Sequence, residues 1–216
     1  MARVADKYTL LLLNGSSNED SSFYSTFLNL PSATSLPAVS TGPNMASLGY
    51  KGCYYFNANT SCTFTLEDTV FTEENFCIEW WELPTKTTQA THSQVLGLNT
   101  QGSTYQGLLL RYNNTQIYGG QATSSWDIFN GVTLSAWNGV STTGWTHYAL
   151  DKKGVEYYLY KNGVVVWQGA APSGVHPTNK GLWYLCYNWS GYITGLRISK
   201  TSRYTTSFTP KKEFFY

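Results

Sequence analysis

The feature that most constrains the fold is a succession of short apolar or alternating runs, each ended by turn-forming residues. The clearest example lies between Glu156 and Gln168, where Asn162-Gly163 separates two segments rich in Tyr, Leu and Val. A two-residue Asn-Gly loop favours a type I′ turn, because both central residues adopt positive φ, so this stretch predicts a tight hairpin. About a dozen such runs recur at the spacing of strands in a β-sandwich, and none shows an extended helical period. The sequence therefore predicts an all-β fold of two packed antiparallel sheets.

The predicted strands extend along the whole chain and leave no boundary that would divide it. They are Tyr8–Leu13, Phe23–Leu28, Cys53–Phe56, Ser61–Leu66, Phe76–Leu83, Gln94–Leu98, Leu108–Tyr112, Thr115–Tyr118, Gly131–Ser135, Trp145–Leu150, Glu156–Lys161, Val164–Gln168, Leu182–Tyr187 and Gly191–Ser199. The two runs on either side of "NANT" predict a second hairpin. Residues 1–216 are interpreted as one β-sandwich domain, with residues 200–216 as a C-terminal tail.

The composition excludes several classes of partner. The 216-residue chain is long enough to bury a core without disulfides or metals, and only 12% of its residues are charged. A net charge of +1 and isolated Lys-Lys pairs supply no basic stripe for phosphates, which argues against nucleic acid. The apolar run Tyr8–Leu13 is too short to span a membrane and lacks the flanks of a signal peptide. We therefore expect synthesis in the cytoplasm and no membrane insertion.

The cysteine pattern favours free thiols over a metal site or a disulfide framework. Cys53, Cys62, Cys77 and Cys186 contain no C-x-x-C spacing, which argues against zinc. An even number permits disulfides, and Cys53 and Cys62 flank the predicted second hairpin, where they could face each other. The absence of a visible export signal and the frequent use of Cys in cores favour buried, unpaired thiols.

Four segments that cover almost the whole chain carry recognisable motifs. "DKYTLLLLNGSSNEDSS" begins at Asp6, and "GCYYFNANTSCTF" is followed by "FTEENFCIEWW", which ends at Trp81. "WTHYALDKKGVEYYLYKNGVVV" contains the Asn-Gly hairpin, and "GYITGLRISKTSRYTTSFTP" ends at Pro210. In their order and spacing these segments resemble the laminin-G-like, concanavalin A-like family, in the version that phage and bacterial proteins carry. The resemblance implies a jelly-roll sandwich of two antiparallel sheets.

The resemblance also implies structural roles for the hairpin and its neighbours. In this family the hairpin lies within the packed sandwich, which implies core positions for Leu159, Val164 and Val166. A His on such a strand is more often a hydrogen-bonded packing residue than a ligand or a base. Structural roles are therefore expected for Trp80, Trp145 and His147.

The resemblance suggests that a structural calcium site should be considered, but the sequence argues against one. Some members of the family hold calcium at one sheet edge with carboxylates and backbone oxygens, and they commonly have Asp where this chain has Thr194. Losing a hard oxygen ligand argues against such a site. Asp6 and Asp20 remain as weak candidate ligands, but solvated or turn-capping aspartates are the favoured interpretation. Neither a metal nor a cofactor is expected.

The carboxylates do not form a hydrolase pattern. Jelly-roll relatives include glycosidases, which need two carboxylates across the sugar and commonly carry them on one strand as Glu-x-Asp-x-x-Glu. This motif is absent, Glu79 and Glu82 lie on opposite faces of the predicted strand, and Glu79 matches the family's structural Glu. Gly-x-Ser-x-Gly, His-Glu-x-x-His and phosphate-binding Gly-rich loops are absent as well. The sequence therefore predicts a protein that is not an enzyme.

Two segments rich in aromatic and amide side chains are better suited to binding. Aromatic rings cover the apolar faces of sugars, and Asn, Asp or Gln side chains bond sugar hydroxyls. The candidate carbohydrate-binding residues are Trp126, Asp127, Asn130, Trp137 and Asn138 in the first segment, and Tyr187, Asn188 and Trp189 in the second. The alternative is that these Trp rings pack under long loops or at a subunit interface.

The favoured interpretation is a non-catalytic binding or structural module of a phage virion or bacterial surface assembly, with cell-surface carbohydrate as its partner. One alternative is a purely structural capsid-decoration or tail-fibre protein, whose partners are other virion proteins. A glycosidase-like enzyme is the disfavoured alternative. The virion or cell surface is the expected location, and a homo-oligomer is compatible with each interpretation.

Overall fold

The structure is a computed structural model that describes residues 8–13, 28–29, 42–43, 45–50, 52–57, 62–66, 75–86, 89–99, 109–114, 116–119, 129–133, 142–170 and 182–212. These residues form 14 β-strands and one 3-10 turn, Met45–Ser47. The strands are β1 (Thr9–Leu13), β2 (Leu28–Asn29), β3 (Tyr54–Phe56), β4 (Cys62–Thr65), β5 (Asn75–Pro84), β6 (Gln89–Asn99), β7 (Leu109–Asn114), β8 (Gln116–Gly119), β9 (Phe129–Thr133), β10 (Thr146–Lys153), β11 (Glu156–Lys161), β12 (Val164–Ala170), β13 (Leu182–Leu185) and β14 (Gly191–Ser199). Within these ranges no helix has the length and apolarity needed to cross a membrane.

The strands form two seven-stranded antiparallel sheets, as the sequence predicts. The front sheet has the order β1-β14-β5-β10-β11-β12, and β3 also pairs with β14. The back sheet has the order β2-β4-β13-β6-β7-β8-β9. Neighbours in both sheets are frequently distant in sequence, which is typical of a jelly-roll sandwich.

The core lies between the two sheets and is built from alternate residues of their strands. On β5 the side chains of Ile78 and Trp80 are fully buried in it, and Leu159 of β11 is fully buried as predicted. From the back sheet, Phe64 and Trp183 stack with ring centroids 5.8 Å apart. Because apolar burial is the main favourable term in folding, these inward-facing aromatic and aliphatic side chains hold the two sheets together.

The predicted hairpin across "NANT" is wrong. β3 pairs with β14 in the front sheet, whereas β4 pairs with β2 and β13 in the back sheet. Phe56 of β3 and Phe64 of β4 therefore contribute to one core from opposite sheets. An alternating pattern identifies the buried face of a strand, but it does not identify the sheet to which the strand belongs.

The four cysteines all lie in the described residues, and all are free and buried. Cys53 packs in a cluster on the outer side of the front sheet, and Cys62 lies in the core between the sheets, so the two do not form the pair considered from the sequence. Burial raises the pKa of each of these two thiols to about 12. The favoured interpretation of buried, unpaired thiols agrees with this arrangement.

The Asn-Gly hairpin is confirmed, with φ of 50° at Asn162 and 78° at Gly163. The Asn162 side-chain oxygen accepts the His147 N–H at 2.9 Å, which fixes the turn against β10. The core position predicted for Val164 is wrong, because this residue begins the edge strand β12 and is 58% exposed. Val166, further along β12, is partly buried and packs against the core.

Residues 200–212, which we call the C-terminal strap, run over the outer face of the front sheet. The Asp151 carboxylate accepts the backbone N–H groups of Arg203 and Tyr204 at 2.7 and 3.0 Å. The Phe208 N–H donates to the Gly163 carbonyl at 2.9 Å, and the Tyr204 and Phe208 rings stack 3.6 Å apart. The strap is therefore joined to the C-terminal half of β10 and to the turn of the Asn-Gly hairpin.

A buried ionic cluster lies beneath the strap. The Glu79 carboxylate accepts hydrogen bonds from Arg197 Nε at 2.7 Å and from the Tyr204 hydroxyl at 2.9 Å, and it lies 3.2 Å from His147 Nε2. Burial alone would raise the pKa of Glu79, but the Arg197 charge and the hydrogen bonds lower it to about 2. His147 is fully buried beside this carboxylate, which confirms its predicted structural role.

Gly163 is the position where a small substitution should disturb the docking of the strap. The Phe208 carbonyl oxygen lies where a β-carbon at Gly163 would be placed, whereas Gly154, also at positive φ, has open space there. We expect Gly154→Ala to lower the free energy of unfolding by roughly 1–2 kcal/mol, because Ala is strained in the left-handed region. Gly163→Ala should lose about 1–3 kcal/mol more through overpacking. Urea denaturation of both variants tests this, and equal losses would show that the contact is unimportant.

Candidate functional site

The turn that follows β13 separates two neighbouring aromatic side chains. Cys186 and Asn188 adopt positive φ of 61° and 52°. Tyr187, between them, is 43% exposed, whereas Trp189 is fully buried in the core. Asn tolerates the left-handed region, but for a residue such as Cys186 it costs roughly 1–2 kcal/mol. The turn thus contains a strained residue, Cys186, and directs the Tyr187 side chain outwards.

Tyr184 lies beside Tyr187 on the outer face of the back sheet. Its neighbour Trp183 points into the core, so Tyr184 points away from it, and the side chain is half-buried. The Tyr184 and Tyr187 rings meet edge to face, with centroids 6.1 Å apart at 80°. Across the strands Tyr184 is paired with Thr63 and with Gly97, which has no side chain. We call Tyr184, Tyr187 and Asn188 the tyrosine surface.

The tyrosine surface offers ring faces, hydroxyls and an amide without a formal charge. A tyrosine hydroxyl both donates and accepts hydrogen bonds, and the Asn188 side chain adds one amide group. Thr63 is half-buried and Thr65 is exposed on the adjacent strand, and both lie on the same face as Tyr184. These groups match the apolar C–H faces and hydroxyl edges of a sugar better than they match an ionic ligand.

Part of the second candidate segment lies at the surface, but Trp189 does not. Tyr187 is exposed and Asn188 is half-buried, as required for contact with a ligand. The prediction that Trp189 stacks on a sugar is wrong, because its ring is fully buried among the core residues. Sequence reasoning missed Tyr184, although the alternation of Trp183 and Tyr184 on one strand was the signal that could have identified it.

Most of the other candidates lie outside the described residues. These are Trp126, Asp127, Trp137 and Asn138, together with the weak calcium candidates Asp6 and Asp20. The backbone of Asn130 belongs to β9, which pairs with β8 at the edge of the back sheet. The first candidate segment therefore stays a prediction.

Thr194, considered above for a calcium site, has a structural contact. Thr194 is fully buried on β14, and its hydroxyl donates to the Gly52 carbonyl at 2.8 Å. The side chain thus joins β14 to the segment that leads into β3. Among the residues that the structure describes, no three His, Cys, Asp or Glu side chains form a group that could hold a metal ion.

The two carboxylates of β5 lie on opposite faces, as predicted. Glu79 lies beneath the strap with Arg197, whereas Glu82 points inwards and accepts the Trp80 indole N–H at 2.8 Å. Both residues are buried. A glycosidase needs two carboxylates that face each other across a substrate, and this pair does not provide that geometry.

Comparison with known proteins identifies the fold but no family. No protein-family model matches the chain, and no curated protein matches it in sequence. The structure is similar to the binding domain of Paraclostridial Mosquitocidal Protein 1, with a TM-score of 0.69 at 13% identity over 91% of this chain and 50% of that one. It is also similar to a botulinum neurotoxin serotype D ligand-binding domain in complex with N-acetylneuraminic acid, with a TM-score of 0.65 at 13% identity.

A third similar structure has nearly the same length. Domain 4 of AbnA, an extracellular arabinanase from Geobacillus stearothermophilus, was solved in complex with arabinotriose and matches with a TM-score of 0.65 at 14% identity. The match covers 91% of this chain and 94% of that domain, whereas this chain spans about half of the toxin domains. At these identities the similarity shows the fold: an all-β sandwich that also occurs in domains with binding roles.

Proposed function

We propose that this chain is a non-catalytic carbohydrate-binding module of the laminin-G-like, concanavalin A-like type. It would act on a phage virion or in a bacterial surface assembly and attach it to glycans. The observation that carries the proposal is the Tyr184–Tyr187 ring pair, which the turn after β13 exposes on the outer face of the back sheet.

The strained turn supports a role for Tyr187 in binding rather than in packing. Residues in sparsely populated backbone regions persist where the surrounding structure over-determines them, and they cluster at ligand-binding sites. Here two positive-φ residues, Cys186 and Asn188, flank one exposed ring. A turn that served only to bury Trp189 would not require an exposed Tyr at the position between them.

The similar structures support the same ligand class. One was solved with N-acetylneuraminic acid and another with arabinotriose, and others are toxin binding domains. They share the fold at 13–14% identity, so they favour a binding module without indicating which sugar this chain recognises. The neutral donors and acceptors of the tyrosine surface are suited to sugar hydroxyls in either case.

The expected affinity is low for a single site. Each stacked ring adds about 1 kcal/mol beyond its burial, on the scale of aromatic pairs. One site would then bind at roughly millimolar to micromolar strength, and firm adhesion would need several copies acting together. A virion or a bacterial surface structure supplies such copies.

A glycan array tests the proposed function directly. The domain is biotinylated at one terminus and displayed as a monomer and as a streptavidin tetramer on arrays that include arabinan fragments and sialylated glycans. We expect the tetramer to bind a defined set of glycans and the monomer to bind the same set weakly. If the tetramer binds no glycan, the carbohydrate proposal fails and the purely structural virion protein becomes the better account.

A further inference from the structure

A second group of aromatic side chains lies in one row across the front sheet. Tyr192 of β14 is paired on one side with Tyr55 of β3 and on the other with Leu83 of β5. Thr146 of β10 is paired with Glu82, so Trp145 continues the row beside Leu83. The row therefore reaches from β3 across β14 and β5 to the start of β10.

The row lies on the outer face of the front sheet. The alternate residues Tyr54 and Ile193 point into the core, which directs Tyr55 and Tyr192 to the opposite face. Tyr192 and Trp145 both pack against the outer cluster that contains Trp81. Tyr55, Tyr192 and Trp145, which we call the aromatic row, are each half-buried.

The geometry of the aromatic row suits an extended ligand. The Tyr55 and Tyr192 ring centroids are 4.9 Å apart and the ring planes are tilted by 42°, so the two rings are in contact. Three strand spacings, about 14 Å, separate β3 from β10. Leu83 of β5, which is only 4% exposed, lies between Tyr192 and Trp145, so the two tyrosines and the tryptophan are contacts at the two ends of this span. The indole N–H of Trp145 donates to the Pro43 carbonyl at 2.7 Å and fixes that end.

The chemistry of the aromatic row is neutral and rich in hydroxyl groups. Burial, together with the nearby Tyr55 hydroxyl, raises the pKa of Tyr192 above its usual value, which is itself well above neutral pH. Exposed polar residues flank both ends of the row: Asn57 follows β3, and Thr142 and Thr143 precede Trp145. Rings bordered by hydroxyl and amide groups are suited to the C–H faces and hydroxyl edges of sugars.

We propose that the aromatic row is a second carbohydrate subsite, which binds an extended, uncharged oligosaccharide chain. The ligand class rests on the proposed function. The aromatic row and the tyrosine surface lie on the outer faces of opposite sheets, and the four residues between Tyr187 and Tyr192 lead from the end of β13 to the start of β14.

Fluorine NMR on protein labelled with 3-fluorotyrosine separates the two sites. Single Tyr→Phe variants assign the resonances of Tyr55, Tyr192, Tyr184 and Tyr187, and also that of Tyr8. Tyr8 serves as the control, because it is 43% exposed and lies beyond the opposite end of β14. The probes are neutral arabinan, glucan, mannan and galactan fragments, each in a short and a long form.

The set of resonances that respond in this titration distinguishes the second subsite from the tyrosine surface. We expect the Tyr55 and Tyr192 resonances to shift and saturate with a long fragment, while the Tyr8 resonance stays in place. If only Tyr184 and Tyr187 respond, the second subsite is overturned and the proposed function stands. If only Tyr55 and Tyr192 respond, the second subsite stands and the tyrosine surface fails. If no resonance among the four responds to any probe, both proposals fail.

Two variants test how the aromatic row contributes to binding. Tyr55→Ala should weaken binding of the long fragment by about tenfold, which corresponds to about 1.4 kcal/mol, and leave short-fragment binding at the tyrosine surface unchanged. Tyr55→Phe keeps the ring and should retain most of the affinity, so it also reports on binding if Tyr55→Ala is poorly folded. Equal binding of the long fragment by the parent and both variants would overturn the second subsite.

Discussion

Replacing Glu79 by alanine is expected to lower the free energy of unfolding by about 3–5 kcal/mol, because the change removes one partner of a buried ion pair. Arg197 is only 3% exposed and would keep its charge without the Glu79 carboxylate. The hydrogen bonds from His147 and Tyr204 to this carboxylate would be lost as well. Urea denaturation at neutral pH measures the loss, and Glu156→Ala on the half-buried start of β11 is the control.

The pH dependence of stability provides a second readout of the same cluster. The pKa of Glu79 falls from 4.5 to about 2 in the folded protein, so the carboxylate contributes stability above its unfolded pKa. This contribution is lost as the pH falls from about 4.5 towards 2, and Glu79→Ala should lack that part of the acid dependence. A variant with the stability and acid profile of the parent would show that the cluster does not hold the strap and the sheet together.

Leu159→Ala is expected to lower the free energy of unfolding by about 2–5 kcal/mol through lost burial and a residual cavity. The Leu159 side chain is fully buried between the sheets, in the middle of the hairpin strand β11. Val164 begins the other strand of the same hairpin and is 58% exposed. Because exposed positions outside special contacts change stability little, Val164→Ala should stay within about 0.5 kcal/mol of the parent.

Thermal and urea denaturation of the two hairpin variants measure this difference. The comparison is informative because the family resemblance implies core positions for both residues. Equal losses at Leu159 and Val164 would mean that β12 is covered as fully as β11. No loss at either position would mean that the hairpin lies outside the cooperative fold.

Local patterns were sufficient to predict most strands and the Asn-Gly hairpin. The positive φ of Asn162 and Gly163 follows from the turn chemistry of these two residues alone. The placement of Glu79 and Glu82 on opposite faces follows from the two-residue period of β5. These properties depend on neighbours in sequence, which is why they could be predicted without coordinates.

The remaining features depend on contacts between distant segments or on backbone conformations that the residue type does not signal. Membership of β3 and β4 in different sheets is set by long-range pairing with β14 and β13, which an alternating pattern does not encode. The burial of Trp189 depends on left-handed φ at Cys186, a residue type that gives no turn signal. The exposure of Val164 follows from the edge position of β12, which becomes visible only in the assembled sheet. In the Tyr184–Tyr187 pair, the outward direction of Tyr184 follows from the alternation on β13, whereas the exposure of Tyr187 depends on the turn after that strand.

Carbohydrate binding by the tyrosine surface is tested most directly by the equilibrium dissociation constant of the best array glycan, measured for the parent, for Tyr187→Ala and for Tyr8→Ala. Both tyrosines are 43% exposed, but only Tyr187 belongs to the proposed site. We expect Tyr187→Ala to weaken binding by about tenfold, equal to about 1.4 kcal/mol, and Tyr8→Ala to bind like the parent. If Tyr187→Ala binds the glycan as tightly as the parent does, the tyrosine surface is not the binding site.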